Sequence, residues 1–550
     1  MSRSKVLSIV VACAQLCSAQ GTPTSLRPDV IVEHYMDVRT EATRMAYDGL
    51  QERMHYLRAN GEILVVLDDG IAAPYDSLLY TSADHGIGQT FGLAFHDSDL
   101  FAIGNHVVGD STQGLLMRAH LQANGTRTWS NVATTDWYAW GGKAHGFNNV
   151  VVSPDGTELY LNCGSRTDHG EVQEVGGVFP GLREEAITTN ILRVPINGMN
   201  LVLPNNAQAL VNSGFLFASG SRNTYDMAFD SDDNLFGVEN SGDHDDPEEM
   251  NWLRQGHHYG FPWRAGGNDN PTLTVGYDPQ TDDLLNPGYP SAATDFYFDG
   301  SFPPPPGTAL AEPMLNTGPD ADRLRDPLTG GILDATDAGS PMATFTCHRS
   351  PLGLVFDTTG ALGSDLHRDG FLLSFTPGGD TLGYSAIAPW GIPVVPADPS
   401  EDLLHLDLQY DSLLENFTVA ATRIVEGFYL PVDAELIGNT LYVIEYWTGT
   451  QRAIWKVTFP QFSAVDEQTS NAGVHLSLWP NPARDEVTWS VQGGQAENVQ
   501  LLDPDGRIVL QKAASNLTGV LPLSGIAPGA YLVKVWHDAG HVERRLLVTH

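Results

Sequence analysis

An acidic segment directly follows a strand-like segment in the middle of the chain. Residues 234–240, NLFGVEN, place apolar residues as a buried strand does, and five carboxylates follow: Asp243, Asp245, Asp246, Glu248 and Glu249. Carboxylate oxygens in a flexible loop are ligands that Ca²⁺ prefers, although the spacing is not that of an EF-hand. A solvated acidic turn explains the same residues without a metal, and both interpretations stay open.

His145 is the candidate general base. It directly precedes the strand-like segment GFNNVVV, and its imidazole has an unperturbed pKa near neutrality, which suits removal of a proton from a hydroxyl group. The alternative is a structural histidine at the mouth of a channel. Lys143 also stands out because lysine is scarce in this chain, although it could be an ordinary surface residue.

These residues lie in a repeating pattern of strand, polar turn and strand. Turns rich in Asp, Asn and Gly favour hairpins. The pattern occurs six times, with further strand-like segments between several copies, at 43–61, 90–105, 145–165, 223–240, 350–375 and 430–446. A sandwich or barrel would not require the same strand–turn–strand pattern six times. The repeats predict an all-β chain with a six-bladed β-propeller over residues 40–460, in which loops at one face build the site.

Two regions depart from the repeat. The largest insertion covers residues from about 265 to 343 and is rich in Pro, Gly and Asp. It is either a lid beside the top face of the propeller or a loose surface excursion. After a polar linker at 461–473, residues 474–550 contain four strand-like segments, which predict a small Ig-like β-sandwich.

Charge and targeting signals limit the class of protein. With 29 basic and 67 acidic residues among 550, the net charge of −38 argues against binding to nucleic acid or anionic membranes. Residues 1–19 have the basic start, apolar centre and small-residue end of a secretory signal peptide, although VVAC, ending at Cys13, faintly resembles a lipobox. No later run reaches the ~18 apolar residues of a transmembrane segment. We therefore expect an exported soluble protein, in which a Cys163–Cys347 disulfide is permitted but not established.

The C-terminal region resembles the sorting domain of type IX secretion. The resemblance is carried by the segment WPNPA at 479–483, the turn DPDGR at 503–507, the segment PGAY at 528–531 and the closing basic strand at 543–548. It implies export through the periplasm and the outer membrane, the type IX secretion machinery as a partner, and a secreted or cell-surface location.

The propeller region resembles the soluble glucose/sorbosone dehydrogenase family. Two segments carry the resemblance: HGFNNVVVSPDGTELYLNCGSRTDHGE at 145–171, and the segment 221–263, which begins SRNTYDMAFD and ends HHYGFPW. HRSPLGLVF at 348–356 is a weaker match. Members of that family are six-bladed propellers that use pyrroloquinoline quinone (PQQ) and Ca²⁺. The resemblance implies that this chain oxidises a small sugar or related alcohol.

Individual site residues follow from this resemblance. It implies His145 as the catalytic base and Arg222, Asn223 and Asn240 as cofactor contacts. It implies Ser241, Gly242 and Asp245 as the Ca²⁺ loop. Gly164-Ser165 stands where the family has the acidic partner of the histidine, and Asp168 could replace it. The family's downstream lysine and second arginine have no match, and Arg349 is a possible substitute.

Two other functions remain open at this stage. Because the chain departs from the family at these positions, it could be a non-catalytic propeller that binds glycan or protein at the cell surface. It could also be a calcium-dependent propeller lactonase that uses the same face.

Overall fold

The computed structural model describes residues 22–282, 284–285, 294–318, 323–325, 332–334, 342–363, 365–376, 401–450 and 452–461, and most of 475–548. The predicted signal peptide and residues 462–473 of the predicted linker lie outside these ranges. The chain forms two compact units, one of residues up to 359 with 368–459, the other of 360–367 with 460–550. No helix among the described residues is long and apolar enough to cross a membrane.

Among the described residues, the first unit contains six sheets of three or more strands, numbered here as blades 1 to 6 in chain order. Blade 1 consists of the strands Ala42–Asp48, Arg53–Arg58, Ile63–Leu67 and Tyr75–Tyr80. Blade 2 consists of Gln89–His96, Asp99–Val108, Ser111–Leu121 and Arg127–Thr135. Blade 3 consists of Gly146–Val152, Glu158–Gly164, Asn190–Pro195 and Leu216–Ser219. Blade 4 consists of Thr224–Phe229, Leu235–Glu239 and Glu249–Trp252. Blade 5 consists of Pro351–Phe356, Gly370–Ser374, Leu403–Asp411 and Asn416–Glu426. Blade 6 consists of Pro431–Ile437, Thr440–Glu445, Arg452–Thr458 and Ile31–Val38.

The blades form a closed ring. The first strand of each blade packs against the first strand of the next, and blade 6 packs against blade 1 in the same way. Ile31–Val38 completes blade 6 from the N-terminal side by pairing with Arg452–Thr458, so the propeller begins before residue 40. The predicted all-β, six-bladed propeller is confirmed, and each predicted repeat supplies the two inner strands of one blade.

Local sequence explains the hairpins and the core. In the third repeat the turn after Ser153 is stabilised by the Ser153 hydroxyl, which donates to Asp155 at 2.6 Å, and Gly156 takes a left-handed φ of 67°. The inner strands are apolar and buried because a neighbouring blade packs on each face. Leu235–Glu239, for example, is buried throughout.

Shorter elements surround the blades. Additional short strands are Thr24–Ser25, Tyr138–Ala139, Leu201–Leu203, Arg264–Ala265, Asn268–Asp269, Leu315–Asn316, Arg323–Arg325, Ile332–Asp334 and Met342–Ala343. The α-helices are Ser82–His85 and Ala207–Asn212, and the 3₁₀-helices are Val175–Gly177, Pro271–Leu273 and Pro279–Thr281.

Arg44, on the first strand of blade 1, links all the blades at the propeller axis. Its guanidinium donates to the carbonyl oxygens of Phe91, Asn148 and Tyr225 at 3.0 Å each, and it pairs with Asp226 at 2.9 Å and Asp433 at 3.2 Å. Asp226 also accepts the backbone N–H of Leu354 in blade 5 at 2.8 Å. One arginine therefore ties the six inner strands together through buried, charge-assisted hydrogen bonds.

The second unit is a small β-sandwich. One sheet contains His475–Trp479, Glu486–Gln492 and Thr518–Pro522, and the other contains Ala496–Leu502, Ile508–Ala513, Gly529–His537 and Gly540–Val548. A single apolar core that includes Val487, Trp489, Val499 and Val533 lies between the sheets. The predicted sandwich is confirmed.

Candidate active site

His145 lies immediately before the first strand of blade 3, and its position is fixed by Ser165. Its backbone N–H donates to the Ser165 carbonyl oxygen at 2.9 Å, and its Nδ1 lies 3.2 Å from both the carbonyl oxygen and the hydroxyl of Ser165. The Ser165 hydroxyl donates its own proton to the carbonyl of Thr167 at 2.7 Å, so it can only accept from the imidazole. This arrangement places the proton on Nδ1 and leaves Nε2 as an unprotonated acceptor.

The imidazole of His145 is held in its neutral form. Burial, with the neighbouring Arg222 charge as the second cause, lowers its pKa to about 3. Within the part of the chain that the structure describes, no hydrogen-bond partner reaches Nε2. The residue therefore presents a neutral imidazole with an available lone pair, but the lowered pKa makes it a weaker base than the near-neutral imidazole that the sequence argument assumes.

Arg222 precedes the first strand of blade 4 and is only partly satisfied. Its guanidinium donates to the Asp168 carbonyl at 2.7 Å, to the Asp168 carboxylate at 2.9 Å and to the Asn240 carbonyl at 3.1 Å. A guanidinium carries five N–H groups, so two of them have no partner among the described residues. Arg222, Asn240 and Ser241 line one cleft together with the carboxyls of Glu239 and Glu249.

Gly164 explains how His145 and Arg222 come together. A Cβ at this position would lie 2.6 Å from the Cβ of His145 and 2.9 Å from Oδ1 of Asn223. The next residue, Ser165, donates its N–H to the carbonyl of Arg222 at 2.6 Å. The end of the second strand of blade 3 thus lies between the predicted base and the predicted cofactor contacts, and only a glycine permits this close approach.

A chain of amide side chains continues from this point. The Asn148 side chain donates to Asn223 at 2.7 Å, Asn223 donates to Asn240 at 2.7 Å, and Asn240 donates to the hydroxyl of Ser350 at 2.8 Å. The chain spans blades 3, 4 and 5. It therefore fixes Asn223 and Asn240, two of the predicted cofactor contacts, in one orientation.

Glu239 and Glu249 form a buried carboxyl pair beneath these residues. Glu239 accepts the backbone N–H groups of Arg222 and Asn223, and both carboxyls accept from Asn251 at 2.8 Å. Burial and the adjacent Glu249 carboxyl raise the pKa of Glu239 well above its usual range. The pair accepts hydrogen bonds from the backbone that carries Arg222 and acts as a positioning element for it.

No hydrogen bond joins Asp168 to His145 in the described part of the chain, although the sequence suggested Asp168 as the partner of His145. Its carboxylate bonds to Arg222, accepts from His169 at 3.1 Å and lies 3.9 Å from the ammonium of Lys143. Although burial opposes ionisation, Lys143 and Arg222 hold the pKa of Asp168 well below its usual range. Ser165 takes the place expected for Asp168 next to the imidazole, and Asp168 instead orients Arg222.

The acidic segment is largely buried, so its interpretation as a solvated turn is wrong. Asp245, Asp246, Glu248 and Glu249 are all buried. His244 pairs with Asp246 at 2.9 Å and with Asp282 at 3.2 Å. Asp243 accepts a 3.0 Å hydrogen bond from Lys143, which is therefore a site residue rather than an ordinary surface residue.

The described parts of the insertion lie beside this site. The ring of Phe296 stacks on His169 with centroids 3.9 Å apart, and Asp295 pairs with Lys143 at 3.5 Å and lies 3.1 Å from His169 through its carbonyl. Asn270 donates to the carbonyl of His169 at 2.7 Å. These contacts favour the interpretation of the insertion as a wall of the site over a loose surface excursion.

Arg349 is not part of the cluster around His145. Its guanidinium forms a buried ion pair with Asp402, which also accepts from Arg423 at 2.7 Å. Its backbone turns at His348 and Ser350, whose φ angles are 61° and 54°. The structure therefore assigns Arg349 to a link within blade 5, and Lys143 is the second cation beside Arg222.

The donor groups available to a carboxylate and to Ca²⁺ belong to a set of residues that differs in part from the predicted one. No hydrogen bond from a described residue reaches the carbonyl oxygens of Ser241 and Gly242, which leaves two hard oxygen donors for Ca²⁺. Arg222 offers two unused N–H groups to a carboxylate, with Lys143 nearby. Asp245 does not belong to this donor set, because its carboxylate contacts the imidazole of His348.

Sequence reasoning missed three positioning groups. Ser165 was treated only as a departure from the family pattern, whereas its carbonyl and hydroxyl fix the His145 tautomer. Asn148 and the Glu239–Glu249 pair were not identified. The one available signal was that Asn148, with Asn149, interrupts an otherwise apolar strand, and buried amides in such a place need partners.

A closed ring of six antiparallel blades, with polar residues of blades 3 to 5 meeting at the ends of the inner strands, defines a β-propeller with a site at one end of its channel. Residues 477–549 match the family model described as the secretion system C-terminal sorting domain, which confirms the predicted domain type. A search of curated proteins gives no match for the chain.

Several solved structures are similar to the propeller. The apo aldose sugar dehydrogenase of Escherichia coli is 13% identical, with 78% of this chain and 99% of that chain covered and a TM-score of 0.45. The PQQ-bound aldose sugar dehydrogenase of Streptomyces coelicolor is 14% identical, with 79% and 99% covered and a TM-score of 0.42. The holo PQQ domain of Coprinopsis cinerea pyranose dehydrogenase is 15% identical, with 80% and 99% covered and a TM-score of 0.46. Our assignment of the fold rests on the sheets described above.

Proposed function

We propose that this protein is an exported propeller oxidoreductase that oxidises a hydroxyl group of a small sugar or related alcohol. The observation that carries the proposal is the neutral His145, whose Nδ1 proton is fixed by Ser165 and whose Nε2 has no described partner. Arg222 lies beside it with unused donors. A base adjacent to an incompletely paired cation suits removal of a hydroxyl proton next to an anionic acceptor.

The chain's own residues perform three tasks in this proposal. His145 accepts the hydroxyl proton at Nε2, and Ser165 stabilises the resulting imidazolium by accepting from Nδ1. The Asn148–Asn223–Asn240 chain orients the groups that contact the acceptor, and the Glu239–Glu249 pair fixes the backbone of Arg222. When bound, PQQ supplies a two-electron acceptor for the hydride.

Cofactor binding is proposed at the same loops. Arg222 and Lys143 would contact carboxylates, Asn223 and Asn240 would hold polar ring atoms, and the carbonyls of Ser241 and Gly242 would ligate Ca²⁺. The segment resemblances at 145–171 and 221–263 support this assignment, and the geometry replaces Arg349 with Lys143 in it.

Export through the type IX secretion machinery to the cell surface or the medium is the proposed route. It is supported by the match of residues 477–549 to a secretion sorting domain. Deletion of residues 474–550 should keep the protein inside the producing cell, as measured by immunoblot of cell and medium fractions.

The activity is tested by reconstitution. Purified protein is loaded with PQQ and Ca²⁺, and reduction of an artificial electron acceptor is measured with a panel of aldoses and polyols. We expect turnover that requires both PQQ and the sugar. Bound PQQ without turnover on any member of the panel would contradict the proposed substrate class, and no bound PQQ would contradict the cofactor.

A binding module is the second candidate, and one observation favours it. Arg222 and Lys143 both pair with Asp168, so the two cations of the site already have a carboxylate partner. A propeller without cofactor could then use the polar end of its channel to hold a glycan. Specific retention on a glycan array by protein that shows no turnover with PQQ would support this function instead.

A further inference from the structure

A mixed cluster of buried side chains lies next to the cleft and is not used by the proposed reaction. One carboxylate oxygen of Asp245, the Sγ of Cys347 and one ring nitrogen of His348 all lie within 4.8 Å of one another. All three residues are buried, and the Asp245 carboxylate is 2.7 Å from Nε2 of His348.

Backbone pairing explains why these residues meet. The segments around Glu248 and Phe345 run antiparallel, with Glu248 N–H donating to Phe345 at 3.0 Å and Phe345 N–H donating to Glu248 at 2.9 Å. Continuing this register brings Asp245 opposite His348. Neighbouring residues of a strand point to opposite sides, but the left-handed φ of 61° at His348 lets its ring and the Cys347 sulfur share one side.

A second observation points to a ligand at this cluster. Glu248 is buried, its Oε1 accepts from Ser241 at 3.3 Å, and its Oε2 has no hydrogen-bond partner among the described residues. Glu248 pairs with Phe345, two residues before Cys347, which places this residue on the segment that runs beside the cluster. A buried carboxylate oxygen with no partner is costly unless a cation or proton compensates it.

We propose that Asp245, Cys347 and His348 supply three ligands of a Zn²⁺ site. One oxygen, one thiolate and one imidazole are a donor set of intermediate softness that suits Zn²⁺ and not Ca²⁺, which takes oxygen ligands. The Asp245 carboxylate and the Cys347 thiolate together balance the two positive charges of the ion, so binding leaves no net charge among these three ligands and the metal.

The ion would clamp the loop that carries Ser241 and Gly242. That loop lies between Asn240, which donates to Ser350, and Glu248, which pairs with Phe345, so both of its ends are tied to the segment that contains Cys347. A metal between Asp245 and His348 would add a third and stronger link. The proposal assigns Asp245 to Zn²⁺ and leaves the two backbone carbonyls for Ca²⁺.

Cobalt substitution tests the site without sugar or quinone, so its outcome is independent of the proposed activity. Full-length protein is purified under reducing conditions, stripped with a chelator and titrated with Co²⁺ while the absorption spectrum is recorded. We expect binding of one ion per chain and a thiolate-to-cobalt charge-transfer band. Cys347→Ser should abolish the band and weaken Co²⁺ binding at least about tenfold.

Cys163→Ser is the matched control, because Cys163 is an equally buried thiol that packs against Tyr138 in another part of the propeller. It should keep both the band and the affinity. A wild-type protein without the band, or a Cys347→Ser variant that retains it, would overturn the proposal.

X-ray absorption of the Zn²⁺-loaded wild type keeps the test decisive if Cys347→Ser does not fold. We expect one sulfur at about 2.3 Å and nitrogen or oxygen ligands at about 2.0 Å. A first coordination shell without sulfur would overturn the site, and His348→Gln should lower the Zn²⁺ content of purified protein to that of the chelated sample.

Discussion

Two buried arginines of the propeller, Arg44 on an inner strand and Arg222 just before one, differ in how completely they are paired. Arg44 has a partner for each of the five N–H groups of its guanidinium, and these partners are backbone carbonyls and carboxylates of blades 2, 3, 4 and 6. Arg222 has partners for three and lines a cleft. Both arginines pair with aspartates, but only Arg44 has a partner for every N–H group of its guanidinium.

The difference separates a structural role from a binding role. A saturated guanidinium enclosed by backbone carbonyls gains nothing from an added ligand, and its removal leaves buried carboxylates unpaired. An unsaturated guanidinium next to a neutral base can accept a further anion. Substitution of Arg44 should therefore lower the stability of the protein, whereas substitution of Arg222 should lower its binding function.

The largest expected effect on folding is that of Arg44→Ala. The change leaves Asp226 and Asp433 buried without their cation, and breaking such a pair costs about 3–5 kcal/mol of the free energy of unfolding. Denaturant unfolding monitored by tryptophan fluorescence measures it. Arg222→Ala is the matched comparison. It should lower the free energy of unfolding by less, because Asp168 still pairs with His169 and Lys143. An equal loss of stability in the two variants would contradict the distinction between a structural and a binding arginine.

The largest expected effect on turnover is that of His145→Gln. Loss of a positioned general base lowers kcat by about 10²–10⁴-fold, while binding of PQQ should change little. Steady-state kinetics of the reconstituted enzyme measures the first quantity and equilibrium titration the second. His34→Gln, at an exposed histidine of the outer strand of blade 6, should leave both unchanged. Unchanged kcat in His145→Gln would exclude this residue as the base.

A smaller effect is expected for Ser165→Ala. The variant removes the hydroxyl acceptor of His145 Nδ1 but keeps the carbonyl of the same residue, so the tautomer is held by one acceptor instead of two. One hydrogen bond is worth about 0.5–1.5 kcal/mol, which corresponds to a fall in kcat of about 2–12-fold. A fall as large as that of His145→Gln would show that the carbonyl contributes nothing.

The smallest expected effect is that of lowering the pH on kcat/KM. Burial and Arg222 lower the pKa of His145 to about 3, so the imidazole stays neutral above that value and loses its lone pair only when the pH falls through it. The value of kcat/KM should therefore show no protonation step for this residue between about pH 8 and about pH 5. A step near pH 6.5 that His145→Gln removes would contradict this electrostatic description.

Sequence periodicity was sufficient for the fold. Each of the six repeats supplies the two inner strands of a blade, because buried strands must be apolar and tight turns require particular residues. The strand Ile31–Val38 was not assigned, since it joins blade 6 by pairing with Arg452–Thr458 across nearly the whole propeller sequence. Pairing of such distant strands leaves no local pattern.

The site was predicted less completely, for a physical reason. His145, Arg222, Asn223 and Asn240 do meet, because each lies at an end of an inner strand where the topology converges. The partners of Asp168 and Arg349 could not be predicted, because they depend on the directions of the side chains. Asp168 could have bonded to His145 but bonds to Arg222. Arg349 could have faced a cofactor but pairs with Asp402. A solvated turn could not be excluded for the acidic segment, because composition does not reveal that His244, His348 and Lys143 pair with its carboxylates.

The central claim is that the incomplete pairing of Arg222 beside His145 marks a binding site for PQQ. Equilibrium titration of the full chain with PQQ in the presence of Ca²⁺, for the wild type and for Arg222→Gln, tests it most directly. We predict one PQQ per wild-type chain and affinity lower by about 10–150-fold in the variant, as loss of charge-assisted hydrogen bonds requires. Equal affinity for the two proteins, or no binding to the wild type, would contradict the account.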